Sequence, residues 1–185
     1  MQKMNKRIIS PFEYASKITE TTWDGVLFTT AADGEVDTMV IGWGLIGNVW
    51  KKPLFVSYVR TSRHSFDLVE KSGEFTINIP LDKLDRRVYR VAGTQSGRDM
   101  DKIADLGLTL VEPEVISTPG ILECPITLEC KVIYKKMLDQ DGLTDEVIAR
   151  CYPQDVDDIN AIASRYLHMV YYGEIVSSYI IEEGE

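Results

Sequence analysis

The chain has 185 residues, 44% hydrophobic and 26% charged, with a net charge of −9. That length suits a single domain able to bury a substantial core, and the acidic balance argues against a nucleic-acid surface. The longest uncharged stretch of the strand region, Thr38 to Trp50, has 13 residues, too few to span a bilayer, and the start MQKMNKRIIS lacks the apolar run of a leader peptide.

In chain order, Ser10-Pro11-Phe12-Glu13 reads as a capping box with proline at the first helical position, predicting a helix to about Glu20. Trp23 to Thr30 reads as a strand, and Asp33-Gly34 as a hairpin turn. Strands are expected over Val36 to Gly47 and Leu54 to Val59. Ser62 to Lys71 has helical spacing, with Phe66 and Val69 on one face and Gly73 just beyond its end. Glu74 to Pro80 alternates, with Phe75, Ile77 and Ile79 opposite Glu74, Thr76 and Asn78, the pattern of a half-buried strand. Helical segments follow near Asp82–Val91 and Asp99–Leu106. After Ile121 comes a long strand, with Ile126, Leu128, Cys130, Val132 and Tyr134 on one face and Thr127, Glu129, Lys131 and Lys135 on the other. Residues 139–166 form an acidic, partly helical excursion within the one domain, and His168 to Ile180 closes the chain as a strand. Strands at hairpin spacing, without regular βαβ alternation, predict an α+β, mainly β protein: a small antiparallel barrel with peripheral helices.

Gly42 to Gly47, GWGLIG, matches the G-x-G-x-x-G dinucleotide pattern. That pattern requires a helix after the last glycine, whose N-terminus holds a pyrophosphate. Here a turn and another apolar strand follow, and the acidic residue downstream, Asp67, falls within a predicted helix. The glycines instead mark close approach of a backbone or a flat ligand to a strand. The three cysteines, Cys124, Cys130 and Cys151, an odd count with no C-x-x-C, predict a reducing cytoplasm with no disulfide scaffold and no metal site, and Cys124 and Cys130, of one parity on a predicted strand, read as buried apolar filling.

The densest chemistry lies at Arg60-Thr61-Ser62-Arg63-His64-Ser65, where a strand gives way to a helix. Free N–H groups at a helix start favour an anion, and arginine adds charge-assisted bonds to phosphate. The plainer reading makes Ser62 a helix cap and the arginines solvated surface. A second cluster, Gly93 to Lys102, offers Thr94 and Ser96 hydroxyls, Gly97, Arg98 and Lys102. Alone it is a loop and a cap; with the first cluster it suggests two loops closing on one phosphate. No Ser/His/Asp or Cys/His constellation is evident.

Four blocks in order, Thr38–Gly44, Val59–Ser65, Gly93–Lys102 and His168–Ile175, resemble the flavin reductase-like, FMN-binding split-barrel proteins of the flavoredoxin type. The resemblance runs from about Trp23 to Ile180 and is weakest over Tyr152 to Arg165, which could reshape a pocket mouth. It implies a six-stranded antiparallel split barrel, a homodimer, and FMN near the subunit interface. It puts Thr38, Met39, Trp43 and Gly44 beside the flavin ring, with Trp43 either stacking on it or filling core. Arg60, Ser62, Arg63, His64 and Ser65, joined by Ser96, Gly97, Arg98 and Lys102, would take the phosphate. His168 would lie on the substrate or nicotinamide side, or be a structural hydrogen-bonder. The implied function is an FMN-dependent oxidoreductase carrying electrons from NAD(P)H or a protein donor to flavin, oxygen or another small-molecule acceptor. The alternatives are a non-catalytic electron carrier and a pyridoxamine-phosphate-oxidase-like enzyme.

Overall fold

The hairpin at Asp33-Gly34 forms as the sequence predicts, with both residues at positive φ (54° and 83°). It joins β2 (Val26–Ala32) to β3 (Glu35–Ile41) in a computed structural model that describes residues 5–182. The leader-peptide reading falls partly on residues 1–4, which lie outside the described residues. The remaining strands of the main sheet are β1 (Asn5–Ile8), β4 (Gly44–Val49), β5 (Lys52–Arg60), β6 (Glu74–Ile79), β9 (Ile126–Met137) and β10 (His168–Glu182). Their order is β3-β2-β6-β9-β10-β5-β4, with β1 also paired to β10, and every pairing is antiparallel. A two-stranded ribbon, β7 (Leu110–Val111) with β8 (Gly120–Ile121), lies beside it. Among the described residues five α-helices complete the fold: α1 (Ala15–Asp24), α2 (His64–Ser72), α3 (Arg86–Thr94), α4 (Lys102–Leu106) and α5 (Asp145–Cys151).

Phe28 of β2, Phe55 of β5, Phe75 of β6 and Leu128 of β9 share one buried cluster, although β2 and β5 stand four strands apart. The sheet must therefore roll up around them. β3 and β5 touch, yet no ladder joins them. This is the split barrel, with eight strands in its sheet rather than six. The added count comes from β1 and from a break in the strand expected over Val36 to Gly47, which turns a corner at Gly42-Trp43 and continues as β4.

Helix boundaries differ from expectation: α3 and α4 start at Arg86 and Lys102, capped by Asp85 and Asp101, rather than near Asp82 and Asp99, and both ends of α1 shift. Residues 11–14 form turns and α1 starts at Ala15, because Glu13 pairs with Arg7 (3.1 Å) instead of reaching back to cap the chain. The same helix runs on through Trp23, expected in a strand, and ends at Gly25 (φ 118°). Trp23 is exposed; its aromatic β-preference yields to helix continuation. The polar faces of two strands are also buried. Thr76 and Asn78 of β6, and Thr127 and Glu129 of β9, have no solvent exposure. The segment around β7 and β8 satisfies them: Asn78 accepts from the backbone of Ile121, and Glu129 from those of Glu114, Val115 and Ile116.

Candidate functional site

At the end of β5, Arg60 stands opposite His168, the first residue of β10. Beside them the corner between β3 and β4 carries Trp43, and α2 opens with Arg63 as its N-cap. These elements surround a cleft of about 420 Å³, lined in part by Met39, Trp43, Tyr58, Arg63, Tyr89 and His168. That volume lies within the range of small-molecule and cofactor sites. Arg63 also lines a small polar pit of about 10 Å³, ringed by Ser62, His64, Ser65, Ser96, Lys102 and Asn160. The two clusters separated in sequence therefore do meet.

Most of their side chains are bonded to one another or to other protein groups. Arg60 is almost fully buried and clamps the excursion: Nη1 donates to the carbonyls of Ser164 (2.9 Å) and Tyr166 (2.6 Å), and Nη2 to that of Ile162 (2.9 Å). Ser62 donates to the carbonyl of Ile159. Ser65 donates to Asp37 (2.6 Å), which also forms a buried ion pair with Lys102 (2.9 Å). Burial pushes the Lys102 ammonium down from its ordinary value, and Asp37 pulls it back. His64 Nε2 meets Glu35 at 2.6 Å. Arg98 pairs with Asp67 and donates to the Ser62 carbonyl, so it braces one loop against the other. Gly97 does not line the pit. A Cβ there would meet Asp37 Oδ1 at 2.5 Å and His64 Cδ2 at 2.7 Å, so only glycine lets the second loop lie this close. Arg63 differs from all of these. Its backbone bonds to Arg60 and Phe66, but among the described residues its guanidinium has no hydrogen-bond or ion-pair partner. Burial lowers its pKa, with Asp158 opposing from a distance, yet a guanidinium remains charged.

Of the residues expected beside a flat ring, Met39 and Trp43 line the cleft. Thr38 faces inward, its hydroxyl 2.9 Å from that of Thr29. Gly44 packs over the Phe55 ring, where a Cβ would come within 2.6 Å. Close approach is indeed what the glycine records, but to a neighbouring strand's side chain. Trp43 is 42% exposed and contacts the His168 ring, with centroids 4.8 Å apart. It forms part of the cleft wall rather than core.

His168 is buried, and burial together with Arg60 and Arg63 pushes its pKa down to about 3. Its Nδ1 lies 2.8 Å from the phenol of Tyr152, whose own pKa burial pushes up to about 12. Tyr152 belongs to the excursion and stands at the C-cap of α5. Nothing in its local pattern marks it; only its distant neighbours in the fold do. Asp37 carried a readable signal, the one charge within the strand expected over Val36 to Gly47. Among the described residues no cluster of three or more His, Cys, Asp or Glu could hold a metal, and no helix is long and apolar enough to cross a membrane.

Residues 23–185 match the family described as flavin reductase like domain. An uncharacterized protein of Archaeoglobus fulgidus is 40% identical over 72 residues, covering 39% of this chain and 40% of that protein. The chain spans about half, or less, of the length of the curated relatives it matches. Among solved structures, flavoredoxin of Desulfovibrio vulgaris (Miyazaki F) aligns with a TM-score of 0.62 at 24% identity, covering 85% of this chain and 69% of that one. An FMN-binding domain of a flavin reductases-like enzyme from Shewanella baltica OS155 aligns with a TM-score of 0.61 at 16% identity, covering 98% and 80%. At these identities the structures speak to the fold.

Proposed function

Because the chain belongs to the flavin reductase-like domain family, we propose that it holds FMN in the cleft and acts as a flavoprotein oxidoreductase. Electrons would come from NAD(P)H or a protein donor and pass to flavin, oxygen or another small acceptor. The observation that carries this reading is Arg63: a partly buried cation without a protein partner, where the cleft meets the hydroxyl-rich pit. A cation so situated favours an anionic group such as a phosphate. The α2 N-terminus adds free N–H groups. Met39 and Trp43 offer apolar surface to a planar ring. The pit holds no more than a water-sized group as it stands, so phosphate binding there requires its lining to open. When bound, FMN would supply the redox chemistry, while this chain's residues bind, orient and shield it.

The test begins with an absorbance spectrum of the purified protein and identification of any released chromophore. FMN should bind more tightly than riboflavin, because a charge-assisted bond contributes on the order of 1.5–3 kcal/mol. Arg63→Ala should weaken FMN about tenfold or more while leaving riboflavin nearly unchanged. Equal affinities for the two flavins would overturn the phosphate assignment. Anaerobic NADH or NADPH should bleach the bound flavin of a reductase and leave a pure carrier yellow.

We further infer a homodimer and a cytoplasmic setting. The first rests on an aromatic group on one side of the sheet, exposed Trp50 and Tyr134 with partly buried Tyr172, their ring centroids 5.2 to 6.1 Å apart. The second rests on three unpaired, buried cysteines.

A further inference from the structure

The excursion contributes a second group to the cleft that acts only through His168. The Tyr152 phenol is 1% exposed, and its hydroxyl has His168 Nδ1 as its partner, at 2.8 Å. Two neutral arrangements satisfy that distance. If Nδ1–H donated to the phenol oxygen, the phenol proton would need another acceptor, and among the described residues none is in reach. A buried donor left unpaired costs about 1–3 kcal/mol, whereas the other arrangement leaves without a protein partner only Nε2–H, on a ring that lines the cleft. The phenol therefore donates, Nδ1 accepts, and the ring proton sits on Nε2. A doubly protonated ring is disfavoured by burial and by Arg60 and Arg63. Nε2 itself has no protein partner among the described residues, and the ring lines the cleft.

The phenol is held firmly enough to impose this choice. Its backbone N–H donates to the Ile148 carbonyl at 2.8 Å, closing α5. The Arg60 guanidinium lies 5.5 Å from the ring centroid, and Trp43 meets the ring edge-on at 6.4 Å. Arg60 thus grips the excursion by its carbonyls and packs on the Tyr152 ring at once.

We propose that Tyr152 is a positioning residue, donating to His168 Nδ1 and so fixing an N–H donor at Nε2 that serves an uncharged acceptor oxygen, of carbonyl or carboxamide type, in the cleft. Anionic groups are drawn instead to Arg63, which carries charge where His168 does not. The tautomer follows from the geometry alone; its use on a redox substrate rests on the FMN reading above.

The test is the long-range 1H–15N spectrum of the labelled protein, recorded as purified and again with added FMN. The chain has two histidines, so His168→Gln identifies the relevant signals by their loss. The expected wild-type spectrum shows Nδ1 unprotonated and hydrogen-bonded, and Nε2 protonated. Tyr152→Phe should move the Nδ1 resonance to that of an unbonded ring nitrogen and speed exchange of the Nε2 proton with solvent. Benzamide, a neutral carboxamide probe, should shift the Nε2 proton downfield in FMN-loaded protein. A protonated Nδ1 in the wild type overturns the proposal without recourse to any variant. So does an Nδ1 resonance unmoved by Tyr152→Phe, while a Nε2 proton indifferent to benzamide removes the carbonyl-type ligand. Protein that binds no FMN yet shows the expected tautomer supports the role of Tyr152 and sinks the function proposed above.

Discussion

His168 keeps an uncharged ring in a site that also holds two guanidinium groups, and this has a measurable cost in acid. In the unfolded chain the ring takes up a proton near its ordinary value of 6.5; in the fold it does so only near 3. Between those values the unfolded state binds more protons, so stability falls as pH falls. The groups that face the ring, Arg60, Arg63 and Tyr152, include no carboxylate to reverse that sign. His168→Gln should therefore flatten the stability profile between pH 6.5 and 4, removing up to about 1.4 kcal/mol per pH unit from its slope. Urea unfolding at a series of pH values measures this. Identical slopes for the two proteins would mean that the ring is charged in the fold.

At the scale of elements, one side chain, Arg60, makes more of the bonds between the barrel and the excursion than Ser62 or His168 does. Arg60→Met keeps volume but removes four hydrogen bonds to Ile162, Ser164 and Tyr166. Faster hydrogen exchange and proteolysis across residues 152–166, with β5, β9 and β10 still protected, is the expected outcome. Unchanged protection there would show that Arg60 is not the clamp. The same residue shows where sequence reading stops. Strand periodicity found β6, β9 and β10, because apolar alternation is a local consequence of facing a core. It assigned Thr76, Asn78 and Glu129 to a solvent face, since nothing local reveals that the β7–β8 ribbon covers them. Residue types likewise located both basic loops. They could not tell Arg60, whose donors go to protein carbonyls, from Arg63, which has no such partner among the described residues, because that distinction depends on a segment a hundred positions away. Tyr152 was hidden for the same reason.

For the molecule as a whole, the aromatic group made by exposed Trp50 and Tyr134 and partly buried Tyr172 is the feature a second copy would cover. Light scattering at micromolar concentration should give twice the chain mass, since a two-fold contact buries the same patch on both partners. Tyr134→Glu should shift the protein to a monomer without unfolding the barrel, because that side chain is 45% exposed in the single chain. A monomeric wild type would remove the dimer.

β9 and β10 are adjacent antiparallel strands, and residues 139–166 are formally the tip of their hairpin. Lengthening a hairpin tip costs little chain entropy, each doubling adding only about 0.6 kcal/mol. Barrel strands thus supply Met39, Trp43's corner and His168, while the tip supplies Tyr152 and Ile162. Evolution could exchange the tip without disturbing a single rung of the barrel. Descendants of such a scaffold would keep the wall of the cleft and diverge at its mouth, so that neighbours with superimposable barrels acquire different appetites by rewriting one loop.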